Sequence, residues 1–186
     1  VDAICHATGE PSISVKEPQI MMLGMSLSTF TFVHVLLSLI GIAAGFVVVA
    51  GLLGSRRMDG WTAIFLSTTV LTSVTGFGFP VKQFLPSHAI GILSLIVLAA
   101  AILARYTYGL AGGWRRVYVI CSMIALYFNV FVAVVQSFLK VPALHALAPT
   151  GSEPAFVVAQ SVVLLLFVGL GIQAGRRFRI GSLLTA

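Results

Sequence analysis

The residues of this sequence best suited to chemistry are His34, His88, Gln136, Gln160, Thr72 and Thr75. Each lies within or at the border of a long apolar run, where a polar side chain is costly and turns toward a bundle interior rather than lipid. At about 1.5 Å per helical residue, His34 sits about 7 Å inside its run, with Thr75, Gln136 and Gln160 at similar depth and His88 nearer the rim. The other two histidines, His6 and His145, fall toward the same side. Together these positions describe a polar pocket opening on one surface. His34 and His88, on helices of the same direction, could ligate a haem b iron from opposite faces. The same donors could hold the carbonyls of a quinone whose tail lies in an apolar slot. Zinc or copper fits less well, because no Cys, Asp or Glu falls in that half of any run.

A structural use competes for the same residues. Hydroxyls and amides tie helices together inside membranes at about 0.6 kcal/mol per contact. The second run carries Ser67, Thr68, Thr69, Thr72, Ser73 and Thr75. In the fourth, Tyr118, Ser122, Ala125, Asn129, Ala133 and Gln136 recur at intervals of three or four and share one face, with Asn129 near mid-membrane. In the first, His34, Ser38, Gly41 and Gly45 do the same, and Gly41-xxx-Gly45 permits close helix approach. An Asn129 turned toward water would instead suit a channel or transporter protomer.

The elements that must position these residues are five runs long enough to cross about 30 Å of hydrocarbon. They extend from about Leu27 to Leu53, Trp61 to Phe79, Ser87 to Ala104, Val117 to Leu139 and Ala155 to Gly175. Backbone groups have no water to bond within a bilayer, so these runs must be helices. The expectation is an all-α, polytopic membrane bundle of five transmembrane helices. Residues 1–26 form a polar leader, which an internal start at Met21, Met22 or Met25 would leave untranslated; residues 27–179 form the transmembrane domain and 180–186 a tail.

Charge sets the orientation. All eight arginines lie in the stretches 54–60, 105–116 and 176–186 with one acid, Asp59, while the three lysines and four acids occupy the alternate stretches. The positive-inside rule then puts the N-terminus outside and the C-terminus in the cytoplasm, and Trp61, Trp114, Tyr106, Tyr108 and Tyr118 gather at the Arg-rich ends as an interfacial belt should.

Composition excludes several classes. Of the 186 residues 59% are hydrophobic and 9% charged, against about 25% charged in soluble domains. The net charge of +6 belongs to juxtamembrane arginines facing lipid head groups rather than to a nucleic-acid surface. Cys5 and Cys121 fall on opposite sides, so no disulfide joins them, and Cys5-His6 lacks the earlier cysteine of a haem attachment motif because position 2 is Asp. There is no nucleophile triad, metalloprotease HExxH or phosphate loop, and no intramembrane carboxylate for a proton relay.

Four segments, Asp59-Gly-Trp-Thr-Ala63, Thr72-Ser-Val-Thr-Gly-Phe-Gly-Phe-Pro80, Leu85-Pro-Ser-His88 and Lys140-Val-Pro-Ala-Leu144, resemble those of small bacterial inner-membrane proteins of uncharacterised activity. The resemblance runs from His34 to Arg179 and implies a bacterial inner-membrane location. The expected role is non-catalytic: an accessory subunit that packs against another membrane protein or a second copy of itself. A haem- or quinone-binding redox protein is the competing expectation.

Overall fold

Ser26 starts the first helix. Its hydroxyl accepts the Thr29 N–H at 3.2 Å, so one of the free donors at the helix start is satisfied. The computed structural model describes residues 21–22, 24–79 and 86–178, and most of the 1–26 leader lies outside them. What is described of that leader is a minimal antiparallel pairing of Met21–Met22 with Met25–Ser26. Helix α1 covers Leu27–Leu53, α2 Asp59–Gly76, α3 Pro86–Ile102, α4 Trp114–Lys140, α5 Pro142–His145 and α6 Pro154–Arg177. The fold is all-α, as expected, and α1 occupies the expected run.

Two differences are informative. Four helices are long and apolar enough to cross a membrane: Leu27–Leu53, His88–Thr107, Trp114–Lys140 and Pro154–Arg177. The second run does form a helix, but α2 has only 18 residues and carries Asp59 and seven hydroxyls, so composition alone does not place it with the other four. The second difference is a π-helical turn, Leu103–Thr107, which extends α3. Its wider bonding runs from Tyr108 N–H to Leu103 O (3.0 Å), and it turns Arg105 into the protein.

The helices alternate in direction. Antiparallel packing of α1 on α2 is read from Gly51 beside Met58, Gly45 beside Phe65, Gly41 beside Thr68 and Thr69, and His34 beside Thr75. From position 34 to 51 this seam is about 26 Å long at helical rise. Helices α4 and α6 are also antiparallel, with Phe138 against Phe156 (5.4 Å between centroids) and Tyr127 against Phe167 (5.8 Å). The core where α1, α2, α3 and α4 meet contains Val48, Phe65, Leu98, Tyr118 and Leu126. On α6, by contrast, only Phe167 and Ala174 are fully buried.

The arginines of the described residues gather at one end. There Arg105 pairs with Asp59, Arg115 donates to the Phe178 carbonyl, and Ser55 Oγ donates to the Arg177 carbonyl at 2.5 Å. The opposite end carries Lys140, α5 and a turn in which Glu153 Oε1 accepts the Thr150 N–H (2.9 Å) and Oε2 the Ser152 N–H (3.0 Å). The Thr150 N–H bond holds the Glu153 carboxyl below its usual range.

Gly45 tolerates a side chain poorly, because a Cβ there would lie 2.5 Å from Leu126 Cδ1 and 3.1 Å from Phe65 Cδ2. Gly45→Val is expected to cost about 1–3 kcal/mol through overpacking, read as a lower unfolding midpoint in detergent. Gly60→Ala, where a Cβ meets nothing within 4 Å, should leave the midpoint in place.

Candidate functional site

The expected outer pocket divides into separate contacts. His34 Nδ1 and Thr75 Oγ1 are 2.8 Å apart, and the His34 ring meets Phe79 edge-on at 5.1 Å. Thr75 also donates to the Leu71 carbonyl at 2.7 Å, so its lone pairs face His34, which then supplies the N–H. His88 lies on α3 with its ring 5.6 Å from Phe77. The two histidines are therefore seated in different seams, His34 between α1 and α2 and His88 between α2 and α3. Thr72 is buried, and its hydroxyl has no hydrogen-bond partner among the described residues.

The two glutamines do not join them. Gln160 Nε2 donates to the Phe131 carbonyl across the α4/α6 seam at 3.2 Å, and its Oε1 is buried without a partner among the described residues. Gln136, expected inside the pocket, is exposed instead. The physical reason is angular: the α4 face that starts at Tyr118 is fully buried through Ala125, half-buried at Asn129 and Ala133, and emerges at Gln136. As that face drifts outward, the last turn of α4 leaves the core.

Asn129, read as a residue that would face water in a channel protomer, is half-buried, and its Nδ2 donates to Thr69 Oγ1 at 3.2 Å. Gly41 makes this contact accessible to three helices, since a Cβ there would lie 3.1 Å from Thr68 Oγ1, 3.2 Å from Thr69 Oγ1 and 3.5 Å from Asn129 Nδ2. The face shared by His34, Gly41 and Gly45 thus does pack inward as its spacing implied.

Helix α2 is tied by side chains to three neighbours. Thr75 meets His34 of α1, Ser73 Oγ donates to Ser94 of α3 at 3.1 Å, and Thr69 and Thr62 meet Asn129 and Tyr118 of α4, the last pair at 3.2 Å. Ser67, on the exposed side, bonds its own helix at the Ala63 carbonyl (2.7 Å). These bonds tie α2 to its neighbours as hydroxyl contacts between packed helices do.

The cluster that sequence reasoning missed is at the Arg-rich end. Arg105 reads as one more lipid-facing anchor, yet its side chain is only 3% exposed and is paired with Asp59. Its guanidinium also lies over Tyr118 at 5.3 Å and Tyr106 at 5.8 Å. A legible signal existed: Asp59 is the single acid of that side. Among the described residues no group of three His, Cys, Asp or Glu is placed to hold a metal ion.

The Asp59–Arg105 pair makes an unequal demand, because Asp59 remains in water while Arg105 is enclosed. Asp59→Asn leaves the buried guanidinium without its carboxylate and should cost about 1.5–3 kcal/mol. Combining it with Arg105→Met should recover much of that loss, since no buried charge remains. Thermal unfolding of the three variants checks this, and a double variant as unstable as the single one would contradict it. Set beside protein-family models, curated proteins and solved structures, the chain matches none.

Proposed function

We propose that this chain is a five-crossing inner-membrane protein of bacterial type, N-terminus outside and C-terminus cytoplasmic, that acts as a non-catalytic accessory subunit. The observation that carries this reading is the contrast between its interior and its sixth helix. Of the polar side chains suited to chemistry, His34, Thr75 and the Gln160 amide nitrogen are engaged in ties between helices, whereas α6, with only Phe167 and Ala174 buried, leaves Val158, Val162 and Leu165 exposed by 50–70% on one face. A partner helix, from another protein or a second copy, would cover that face. Counting α2 as a crossing is supported by its antiparallel seam along α1, and the orientation by the gathering of arginines at one end.

Two experiments test this. For the partner, a photo-crosslinking residue at Leu165 should give a stoichiometric protein adduct in native membranes, and Leu165→Gln should shift the mildly solubilised complex to a smaller mass. Lipid adducts alone, with an unchanged mass, would sink the subunit reading. An oxidised and reduced absorption spectrum belongs beside it: a haem band lost in His34→Ala would transfer the protein to the redox class. For topology, cysteines at Thr150 and Gly112 in a Cys5→Ser, Cys121→Ser background should label oppositely with an impermeant maleimide. Thr150→Cys is expected to react in intact spheroplasts and Gly112→Cys only after lysis; labelling of both in spheroplasts contradicts the five-crossing arrangement.

A further inference from the structure

Between α4 and α6 lies a groove of about 650 Å³, whose α6 edge at Ile172 and Arg176 continues the helical line of Leu165. Its floor is Met123 and Phe167, both buried, and its walls are apolar. Much of its depth comes from two glycines. A Cβ at Gly175 would meet nothing within 4 Å, and one at Gly171 would reach only Met123 at 3.8 Å. The groove lining runs from Arg115 to Tyr127 on α4 and from Leu164 to Arg176 on α6. Twelve residues of helix span about 18 Å, close to one leaflet's half of a hydrocarbon core about 30 Å thick.

The groove is polarised. Arg115, Arg116 and Arg176 border it at the Arg-rich end, where the interfacial residues sit. Of the two described acids, Asp59 is engaged by Arg105 and lies near Arg57, and Glu153 belongs to the opposite end. No ion pair to a carboxylate is formed by Arg115, Arg116 or Arg176 among the described residues. Arg115 spends one donor on the Phe178 carbonyl, which holds its side chain at the groove mouth. Three arginines without a carboxylate partner among the described residues thus border the end of an apolar slot about one leaflet long.

We infer that this groove binds one anionic phospholipid of the leaflet on the Arg-rich side, its phosphate held by Arg115, Arg116 and Arg176 and an acyl chain lying over Met123 and Phe167 beside Gly171 and Gly175. Charge complementarity selects the head group: arginine forks match phosphate oxygens in a bidentate way, and basic sites between helices at this membrane level suit anionic head groups. The length and apolarity of the slot select a lipid over free phosphate. The inference requires that the chain cross a membrane but not that it serve as an accessory subunit.

The test uses purified, delipidated protein titrated with phosphatidylglycerol or phosphatidylcholine, read by native mass spectrometry and by the thermal shift that ligand binding produces. Phosphatidylglycerol should bind in preference to phosphatidylcholine and raise the midpoint. Arg116→Gln and Arg176→Gln, both at exposed positions, should each weaken phosphatidylglycerol about five-fold while leaving the lipid-free midpoint unchanged. Gly175→Leu, which fills the slot, should reduce retention of both lipids. Equal affinity for the two lipids, or a phosphatidylglycerol preference that survives both arginine substitutions, would overturn the site. So would a Gly175→Leu protein that keeps its lipid and changes only its oligomeric state, which would assign the groove to a second copy. A lost partner complex at Leu165 with these lipid effects intact would reject the accessory role alone.

Discussion

A hydroxyl within hydrocarbon has no water to bond, so it must find a partner in the protein or remain at a cost of several kcal/mol. Helix α2, packed among α1, α3 and α4, carries seven hydroxyls, and most of them are bonded within the bundle. Ser67 and Thr68 bond back to their own helix at 2.7 Å, which lets them stand near its surface. Thr62, Thr69, Ser73 and Thr75 instead reach α4, α3 and α1. A helix with polar ties on so many sides has its rotation and its depth set together, and its neighbours are held in place by the same bonds.

Close approach makes those bonds achievable. Side-chain hydroxyls are short, and the Asn129–Thr69 bond forms where Gly41 brings α1 nearest to α2 and α4. One turn along, Gly45 admits Leu126 and Phe65 into the same seam. Small residues and polar residues therefore act jointly: glycines remove the bulk, dispersion contacts fill the gap, and hydroxyls find partners in the shortened distance. The Arg-rich end obeys a related constraint with charge. Arg105 is turned inward by the π turn, and its burial is compensated by a carboxylate at the start of α2 and by the face of Tyr118.

The consequence for function is that much of the interior is spent on holding itself together, while α6 buries little of its own surface in the bundle. It carries an apolar stripe through Val162 and Leu165 and, adjoining it, half of a groove whose end is charged. The two surfaces point to different neighbours, a protein helix for the stripe and an anionic lipid for the groove.

Much of the fold was legible because its signals are local. Span lengths, the Ser26 start, the Arg-rich side and the inward faces His34-Gly41-Gly45 and Tyr118-Ser122-Ala125 all follow from hydropathy, charge and a period of 3.6. The candidate site was legible only as a set of depths. Depth told that His34 and Thr75 lie at one level, and they meet; it said nothing about azimuth, and Gln136 at that level points out of the core. Which residues touch depends on the rotation of each helix about its axis, and that is decided by packing between segments far apart in the chain. Arg105 illustrates the limit most clearly: its type and position mark an interfacial anchor, and a single π turn, together with an acid 46 residues earlier, makes it a buried structural charge instead. The sequence by itself determined that this is a multi-pass helical membrane protein and which end carries positive charge, because those properties are sums over residues. Tertiary structure alone decided which polar groups are consumed as ties and which surfaces remain free to bind, because those depend on helix rotation and on distances set by glycines at the seams.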